Sequence, residues 1–350
     1  MKTAAAGLIF DDSRHYIDHL GPFCALQGWP LIVCEGEVAD LARRYYPNLE
    51  IIEMNRWDLK LPDCVVACDP RSLIESAVPS DPNRKLLWLP HGNSDKGWKN
   101  PIFKPLHKEA VLVYGQKMID FMHKQNAFPE TIRIGNFRFH YWMQHQKFYE
   151  KILEKEIRLP KAQTTYLYAP TWNDPEGNGS FWEMLPLLIS SLPDKNNLIV
   201  KIHPNTQIQF APEIERLIGQ HAARKNIFFL TEFPPIYPLL SLCDVYIGDM
   251  SSIGYDFLYR KCPMYFLINE SDKQMATKGA REEILDRTEA ARAKAERSQF
   301  LYRCGTEVSP DEIGLIFKSN QNERKAEQEQ VYHYTFDPYE PISLNLFRDL

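Results

Sequence analysis

Four segments of the chain place polar side chains directly after runs of apolar residues. They supply His91 with Asn93, then Thr171, then Lys201 with His203, and finally Asp249 with Ser251 and Ser252. A histidine with an ordinary pKa of about 6.5 can accept a proton at neutral pH. Hydroxyl, ammonium and backbone N–H groups can neutralise anionic oxygens. These residue types suit displacement at a phosphate, which needs a base near the attacking hydroxyl and donors around the phosphate.

The stretch 242–258 has the most informative pattern. An apolar run, Val245–Ile247, predicts a buried parallel strand, and Gly248 ends it. Ser251 and Ser252 then predict a helix start, because serine oxygens accept the first free amide hydrogens. Such a turn favours a phosphate, and Asp256, one turn further on, suits a ribose or acceptor hydroxyl. An ordinary capped helix packed on a strand is the alternative interpretation.

Short apolar runs alternate with helical patterns along the whole chain, which predicts an α/β fold with mainly parallel sheets. We predict two Rossmann-like domains facing across a cleft. Residues 1–155 would form an N-terminal domain and residues 156–270 a C-terminal one, with a long connecting helix over 137–157. Residues 271–350 would form a C-terminal helix and a tail that packs back on the body. Ligands would bind at the carboxyl ends of the strands.

Each candidate side chain also has a simpler interpretation. A histidine before Gly or Pro is often a surface-loop residue, Lys96 is by default a solvated charge, and Asp249 could merely cap a turn. The chain has no Walker-type phosphate loop and no Gly-x-Gly-x-x-Gly after a strand, which disfavours ATP hydrolysis and dinucleotide chemistry. No carboxylate pair suggests a metal, so we expect no cofactor, although magnesium on a pyrophosphate is compatible with the pattern.

Composition narrows the class of protein. The 350 residues can build two cores, and a net charge of −5 argues against a general nucleic-acid binder. Seven scattered cysteines suit reduced thiols in the cytoplasm. No apolar run approaches the roughly 20 residues of a membrane-spanning helix.

In this order, the polar segments resemble the CDP-glycerol glycerophosphotransferase family, which includes teichoic-acid primases and polymerases. The matching residues are His91, Gly92 and Lys96; Gly135 and Arg138; Tyr168 to Thr171; Lys201 to Pro204; and Asp249, Ser251, Ser252, Tyr255, Asp256 and Phe257. The resemblance covers roughly residues 86 to 268. The combination is specific, although each motif alone is weak.

The resemblance implies a GT-B architecture and transfer of a polyol phosphate, most plausibly glycerol phosphate, from a CDP-alcohol to an acceptor hydroxyl with release of CMP. It makes His91 and His203 the functional pair. Donor binding would use Thr171, Lys201, Asp249, Ser251, Ser252 and Asp256. Asn93, Lys96 and Arg138 are candidates for the acceptor or phosphate side. The segments around 93–95 and 136–139 depart from the family pattern, so the donor assignment is better supported than the acceptor.

Family acceptors are often lipid-linked, so a lipid-linked or glycan acceptor and peripheral contact with the inner face of the membrane are expected. Aromatic and basic residues between 137 and 151 offer a candidate membrane surface, and packing between domains is the alternative. Two rival functions remain: a nucleotide-sugar glycosyltransferase or UDP-sugar epimerase of the same architecture, and a non-catalytic binding protein.

Overall fold

The computed structural model describes residues 5–69, 74–75, 81, 83–93, 95, 110–172, 179–268, 296–318 and 323–342. The chain divides by contacts into two compact units. The first unit contains Met1–Asn93, Lys99–Gln146 and His333–Leu350, and the second contains Ser94–Trp98 and Lys147–Tyr332. These units are discontinuous in sequence, whereas the predicted domains are the continuous ranges 1–155 and 156–270. The predicted domain bounds stay predictions.

A parallel sheet of seven strands forms the centre of the first unit in the described part of the chain, in the order β3-β2-β1-β4-β5-β6-β7. The strands are β1 (Ala5–Ile9), β2 (Leu31–Val33), β3 (Ile51–Glu53), β4 (Cys64–Ala67), β5 (Lys85–Trp88), β6 (Ala110–Val113) and β7 (Glu130–Arg133). The helices are α1 (Ile17–Gln27), α2 (Gly36–Tyr45), α3 (Gln116–Lys124) and α4 (Phe137–Gln144). Strands such as β1 and β4 are buried throughout, as expected of parallel strands covered on both faces.

A second parallel sheet has the strand order β10-β9-β8-β11-β12-β13 within the described residues. Its strands are β8 (Thr165–Tyr168), β9 (Asn197–Lys201), β10 (Ile227–Leu230), β11 (Val245–Gly248), β12 (Met264–Leu267) and β13 (Thr306–Val308). The helices of this unit are α5 (Gln146–Glu156), α6 (Phe181–Ser191), α7 (Pro204–Gln209), α8 (Ala211–His221), α9 (Ile236–Ser241) and α10 (Ile253–Phe257). Its core joins inward-facing side chains of β8, β9 and β11 to α6, among them Tyr166, Leu198 and Leu188.

The region 137–157, predicted as one long helix, is two helices that meet at His145. His145 leaves helical geometry, with φ of −120°, and its ring stacks on Tyr141 with centroids 4.1 Å apart. The Nδ1 atom of His145 lies 2.8 Å from the carbonyl oxygen of Tyr141. The histidine side chain thus occupies a carbonyl of the preceding turn and ends α4, so the prediction of one continuous helix was wrong.

Residues 333–342 of the tail pack on the first unit, whereas the earlier part of the tail belongs to the second. Helix α11 (Lys325–Thr335) is followed by Asp337, whose N–H donates to the carbonyl of Tyr114 at 2.8 Å and whose carbonyl accepts from Asn136 at 2.9 Å. Gly135 allows this close approach: its φ is +61°, and a Cβ there would lie 2.2 Å from the carbonyl oxygen of Pro338.

Candidate functional site

The candidate donor residues follow three neighbouring strands of the second sheet. The chain runs from β8 outward to β9 and β10 on one side and returns to β11 on the other, so the strand order reverses between β8 and β11. Ligands of open parallel sheets bind at such a switch point, outside the carboxyl ends of the strands. Thr171 follows β8, His203 follows β9 and Ser251 follows β11, so the fold brings these three segments to the same edge.

Asp249 holds two of these loops together. Its carboxylate accepts hydrogen bonds from the N–H of Thr171 at 2.7 Å and from the N–H and hydroxyl of Ser180 at 2.9 and 2.7 Å. Burial raises the pKa of Asp249, and its hydrogen bonds oppose this effect. Because backbone and hydroxyl donors occupy both oxygens, the geometry gives Asp249 the task of fixing the loop after β8 against the turn after β11.

The turn at Ser251 and Ser252 is built differently from the serine-capped helix expected from the sequence. The hydroxyl of Ser251 accepts from the N–H of Ile253 at 3.4 Å, whereas Ser252 occupies the N-cap position without a side-chain cap bond. Helix α10 has five residues and passes into a 3-10 turn at Leu258–Arg260. A long helix with a strong dipole is therefore absent from this turn in the described part of the chain, and the predicted phosphate site depends on turn amides and hydroxyls.

A buried ion pair that was not predicted from the sequence supports this turn. Arg297 donates to the carbonyl of Ser251 at 2.9 Å and to Asp95 at 3.2 Å. Tyr255 donates to the other oxygen of Asp95 at 2.6 Å. Both charged side chains are 0% exposed. The pair holds the Ser251 turn through the carbonyl of Ser251. Because Asp95 and Arg297 are 202 positions apart in the sequence, no local pattern predicts their contact.

His203 is half-buried at the start of α7, and its Nδ1 atom accepts from the N–H of Asn205 at 3.1 Å. A ring nitrogen that accepts a hydrogen bond carries no proton, so the neutral ring bears its proton on Nε2 and can donate from there. Lys201 donates from Nζ to the carbonyl of Phe233 at 3.2 Å. Asp256 is buried, and it accepts from the hydroxyl of Tyr237 at 3.1 Å.

In the first unit, His91 follows β5 and lies in a cluster of aromatic side chains. Its ring centroid is 5.3 Å from that of His15, 5.2 Å from Tyr16 and 6.4 Å from His19. Gly92, with φ of +105°, allows the backbone to turn sharply after His91, which explains the His-Gly pair. None of His15, Tyr16 and His19 was among the predicted site residues, although they follow β1 as His91 follows β5.

Two further groups shape the surroundings of His91. Tyr16 donates to Asp69 at 3.3 Å, and burial together with the nearby Asp11 charge raises the pKa of Asp69 to about 6. Burial, the Arg138 charge and the neighbouring histidines lower the pKa of His19 well below its usual range. The Nδ1 atom of His19 lies 2.6 Å from the hydroxyl of Tyr114, so a neutral imidazole packs beside His91.

The candidates for the acceptor side lie in different environments. Arg138 donates to Asp18 at 2.8 Å, and its side chain is 2% exposed, so in this structure it forms a buried ion pair rather than a surface open to phosphate. Asn93 is 3% exposed, and neither its Oδ1 nor its Nδ2 atom has a hydrogen-bond partner in the described part of the chain. Lys96 lies outside the described residues.

The proposed membrane surface over 137–151 is smaller than its sequence indicates. Phe137, Tyr141 and Tyr149 are buried, and Phe137 contacts the rings of Phe23 and Tyr114. Among the described residues, no helix has the length and apolar character that crossing a membrane requires.

Residues 105–300 match the model of the family described as CDP-glycerol:poly(glycerophosphate) glycerophosphotransferase. The match covers more than half of the chain and includes every candidate donor residue. The chain therefore belongs to this family of phosphotransferase enzymes, as its motifs predict. No sequence among the curated proteins compared with it matches.

The fold is similar to that of the wall teichoic acid polymerase TagF, with 13% identity over 99% of this chain and 88% of TagF and a TM-score of 0.65. A variant of TagF soaked with CDPG gives a TM-score of 0.63 at 13% identity over 95% of this chain and 83% of that one. The UDP-GlcNAc 2-epimerase from Neisseria meningitidis bound to UDP-GlcNAc gives 0.55 at 12% identity over 100% and 99%. These similarities confirm the predicted α/β fold with two Rossmann-like units of GT-B type.

Proposed function

We propose that this enzyme transfers glycerol phosphate from CDP-glycerol to an acceptor hydroxyl and releases CMP. The observation that carries the proposal is the set of donors at the edge of strands β9, β8 and β11, which lies wholly within the family match. Thr171, His203 and the Ser251 turn combine hydroxyl, imidazole and backbone donors of the kind that a pyrophosphate requires.

The reaction balances without a redox partner. The acceptor oxygen attacks the phosphorus that carries glycerol, a new P–O bond forms, and the bond to the CMP oxygen breaks with its electron pair leaving on CMP. His91 accepts the acceptor's proton in this proposal. The Nε2–H of His203, the hydroxyls of Ser251 and Ser252, and Lys201 neutralise the pyrophosphate oxygens.

Asp256 and Thr171 have positioning roles in the same proposal. The buried carboxylate of Asp256 would accept from a ribose or glycerol hydroxyl beside its bond from Tyr237. Thr171 would contact the donor from the loop that Asp249 holds in place. Protein groups supply the donors named here, and transfer measured with and without EDTA tests whether magnesium contributes.

Two histidine variants test the assignment. His203→Ala should weaken binding of CDP-glycerol, because it removes a donor to the pyrophosphate. His91→Ala should abolish most transfer, by a factor of about 10²–10⁴, while CDP-glycerol still binds, because a base acts on the acceptor. The measurements are calorimetric donor binding and CMP release. Matched controls are His221→Ala in the second unit and His123→Ala in the first. Unchanged transfer and donor binding in both test variants would overturn the assignment.

The rival nucleotide-sugar function has one specific observation in its favour, the fold similarity to a UDP-GlcNAc 2-epimerase. A panel of CDP-glycerol, CDP-ribitol and UDP-sugars separates the two functions by the nucleotide released. The proposal requires CMP, and release of UDP from a UDP-sugar would favour the rival. Mutation of both histidines also tests the non-catalytic alternative, since a binding protein shows no turnover to lose.

The acceptor is proposed to be a glycan or a lipid-linked glycan, with peripheral membrane contact on the cytoplasmic side. Seven free thiols suit a reducing compartment. Co-sedimentation with anionic liposomes tests membrane contact, and protein that stays fully in the supernatant would contradict it. Mass spectrometry of the product formed from CDP-glycerol and a lipid-linked sugar tests the acceptor.

A further inference from the structure

A cavity of about 380 Å³ opens at the carboxyl edge of the first sheet, beyond the ends of β2 and β3. Its lining includes Glu35 and Glu53 together with Asn55, Arg56 and Trp57. The volume falls at the lower end of the roughly 300–1,000 Å³ of small-molecule sites. None of these residues belongs to the donor and histidine groups described above.

The indole of Trp57 lies at the surface, and this residue is 84% exposed. The guanidinium of Arg56 lies 5.1 Å from the ring of Trp57 and 5.2 Å from the ring of Phe10, so it bridges the two aromatic groups. The side-chain oxygen of Asn55 accepts from the N–H of Trp57 at 2.9 Å, which fixes the turn. A large apolar ring, in contact with the guanidinium of Arg56, is thereby presented to solvent.

The charges around the cavity balance, with two carboxylates and two guanidinium groups. The structure describes every lining residue. Among them, Arg56 is the one basic residue, and Glu35 and Glu53 contribute carboxylates. Glu53 pairs with Arg43 at 2.5 Å. Burial and the charges of Glu35 and Asp11 raise the pKa of the Cys34 thiol to about 11, although Arg56 opposes them. The cavity therefore has no excess positive charge with which to attract an anionic ligand, whereas a neutral polyhydroxyl ligand can donate to these carboxylates.

We propose that this cavity binds a neutral sugar ring of the acceptor, stacked on Trp57 and hydrogen-bonded to Glu35, Glu53 and Asn55. The proposal rests on the proposed function, because it names the chemical class of one part of that acceptor. An indole face suits the apolar face of a sugar ring, and carboxylate and amide oxygens suit its hydroxyls.

The strand order places this subsite away from the reacting hydroxyl. His91 follows β5, whereas the cavity lies beyond β2 and β3, which are three and four strands away in the sheet. At about 4.8 Å between neighbouring strands, the separation is about 14–19 Å. The sugar bound at Trp57 is therefore a distal part of an extended acceptor, and a poly(glycerol phosphate) chain would find no excess positive charge there.

Direct binding to the full-length enzyme tests the proposal without turnover. The probes are a neutral oligosaccharide, the tetramer of N-acetylglucosamine, and an oligomer of glycerol phosphate. The neutral probe should bind wild type and His91→Ala alike, and Trp57→Ala should weaken it about tenfold or more, equivalent to about 1.4 kcal/mol. Trp57→Phe should restore most binding. The control Phe128→Ala removes an aromatic residue that is 66% exposed elsewhere in the same unit.

A second readout uses transfer. The ratio of KM for a long oligosaccharide-bearing acceptor to KM for a short one should rise about tenfold in Trp57→Ala, because only the long acceptor reaches the cavity. Equal neutral-probe binding in wild type and Trp57→Ala, or tighter binding of the glycerol phosphate oligomer at this cavity, would overturn the proposal. So would the absence of any sugar binding, which would point to a protein partner. Failure of the histidine variants to affect transfer instead contradicts the proposed function alone.

Discussion

The Asp95–Arg297 pair offers a sharp test of how the donor turn is supported. Both side chains are 0% exposed, and their nearest charged atoms are 3.2 Å apart. Removing one partner leaves the other charge buried without compensation, which costs about 3–5 kcal/mol. We therefore expect Asp95→Asn and Arg297→Met each to lower the free energy of unfolding of the second unit by about that amount. The double variant should lose about 1–3 kcal/mol less of the free energy of unfolding than the two single losses added together.

The Lys261–Glu329 pair is a matched control in the same unit. Its atoms are 3.0 Å apart, but its side chains are 44% and 53% exposed, so Lys261→Met should cost less than about 1 kcal/mol. Native-state hydrogen exchange of the amides in β11 measures the stability of the second unit by itself. Similar costs for the buried and exposed pairs, or additive effects of Asp95→Asn and Arg297→Met, would refute the reasoning.

Arg297→Met should also loosen the turn after β11, because the Ser251 carbonyl loses its donor. A lost hydrogen bond from a charged group costs about 1.5–3 kcal/mol. Affinity for CDP-glycerol should fall in this variant under conditions where the protein remains folded, and Lys261→Met should retain wild-type affinity.

Two further predictions concern the first unit. The pKa of Asp69 is raised from 3.8 to about 6, so its contribution to stability is fully present below pH 3.8 and is lost as pH rises through 6. Asp69→Asn should raise the free energy of unfolding at pH 7 by up to about 3 kcal/mol relative to wild type, and urea titrations should show this difference vanish toward pH 4; a constant difference would contradict it. Gly135→Ala should lower the melting temperature, because it places a Cβ 2.2 Å from the carbonyl oxygen of Pro338 at positive φ. Its control, Gly219→Ala, meets open space in a helix and should stabilise the protein by about 0.5–1 kcal/mol; equal melting temperatures of the two variants would be inconsistent with this account.

The strands were largely predictable, and the exceptions have physical reasons. Runs such as Val245–Ile247 are apolar throughout because both faces of the sheet are covered. Strand β13, Thr306–Val308, went unrecognised, because it is three residues long and two of them are exposed. It forms through pairing with β12, a partner about forty residues earlier in the sequence, and its own residues have no strand periodicity.

In the candidate site, the roles of side chains likewise depend on partners that are distant in the sequence. Sequence motifs identified Asp249 and Arg138, but their tasks depend on partners 78 and 120 positions away, Thr171 and Asp18. A sequence does not distinguish a carboxylate that binds a ligand from one that accepts hydrogen bonds from the backbone. His15 and His19 had a usable signal, because they follow a predicted strand just as His91 does.

The two units differ in how far the family match explains them. The match begins at residue 105 and so includes the whole donor edge, whereas His91 and Trp57 precede it. Within the matched region, Asp249 ties the candidate donor loops together and Arg297 supports the Ser251 turn. The cavity at Trp57 lies in the unmatched part of the chain, so its aromatic ring, carboxylates and shape, and not a family motif, indicate the ligand that it binds.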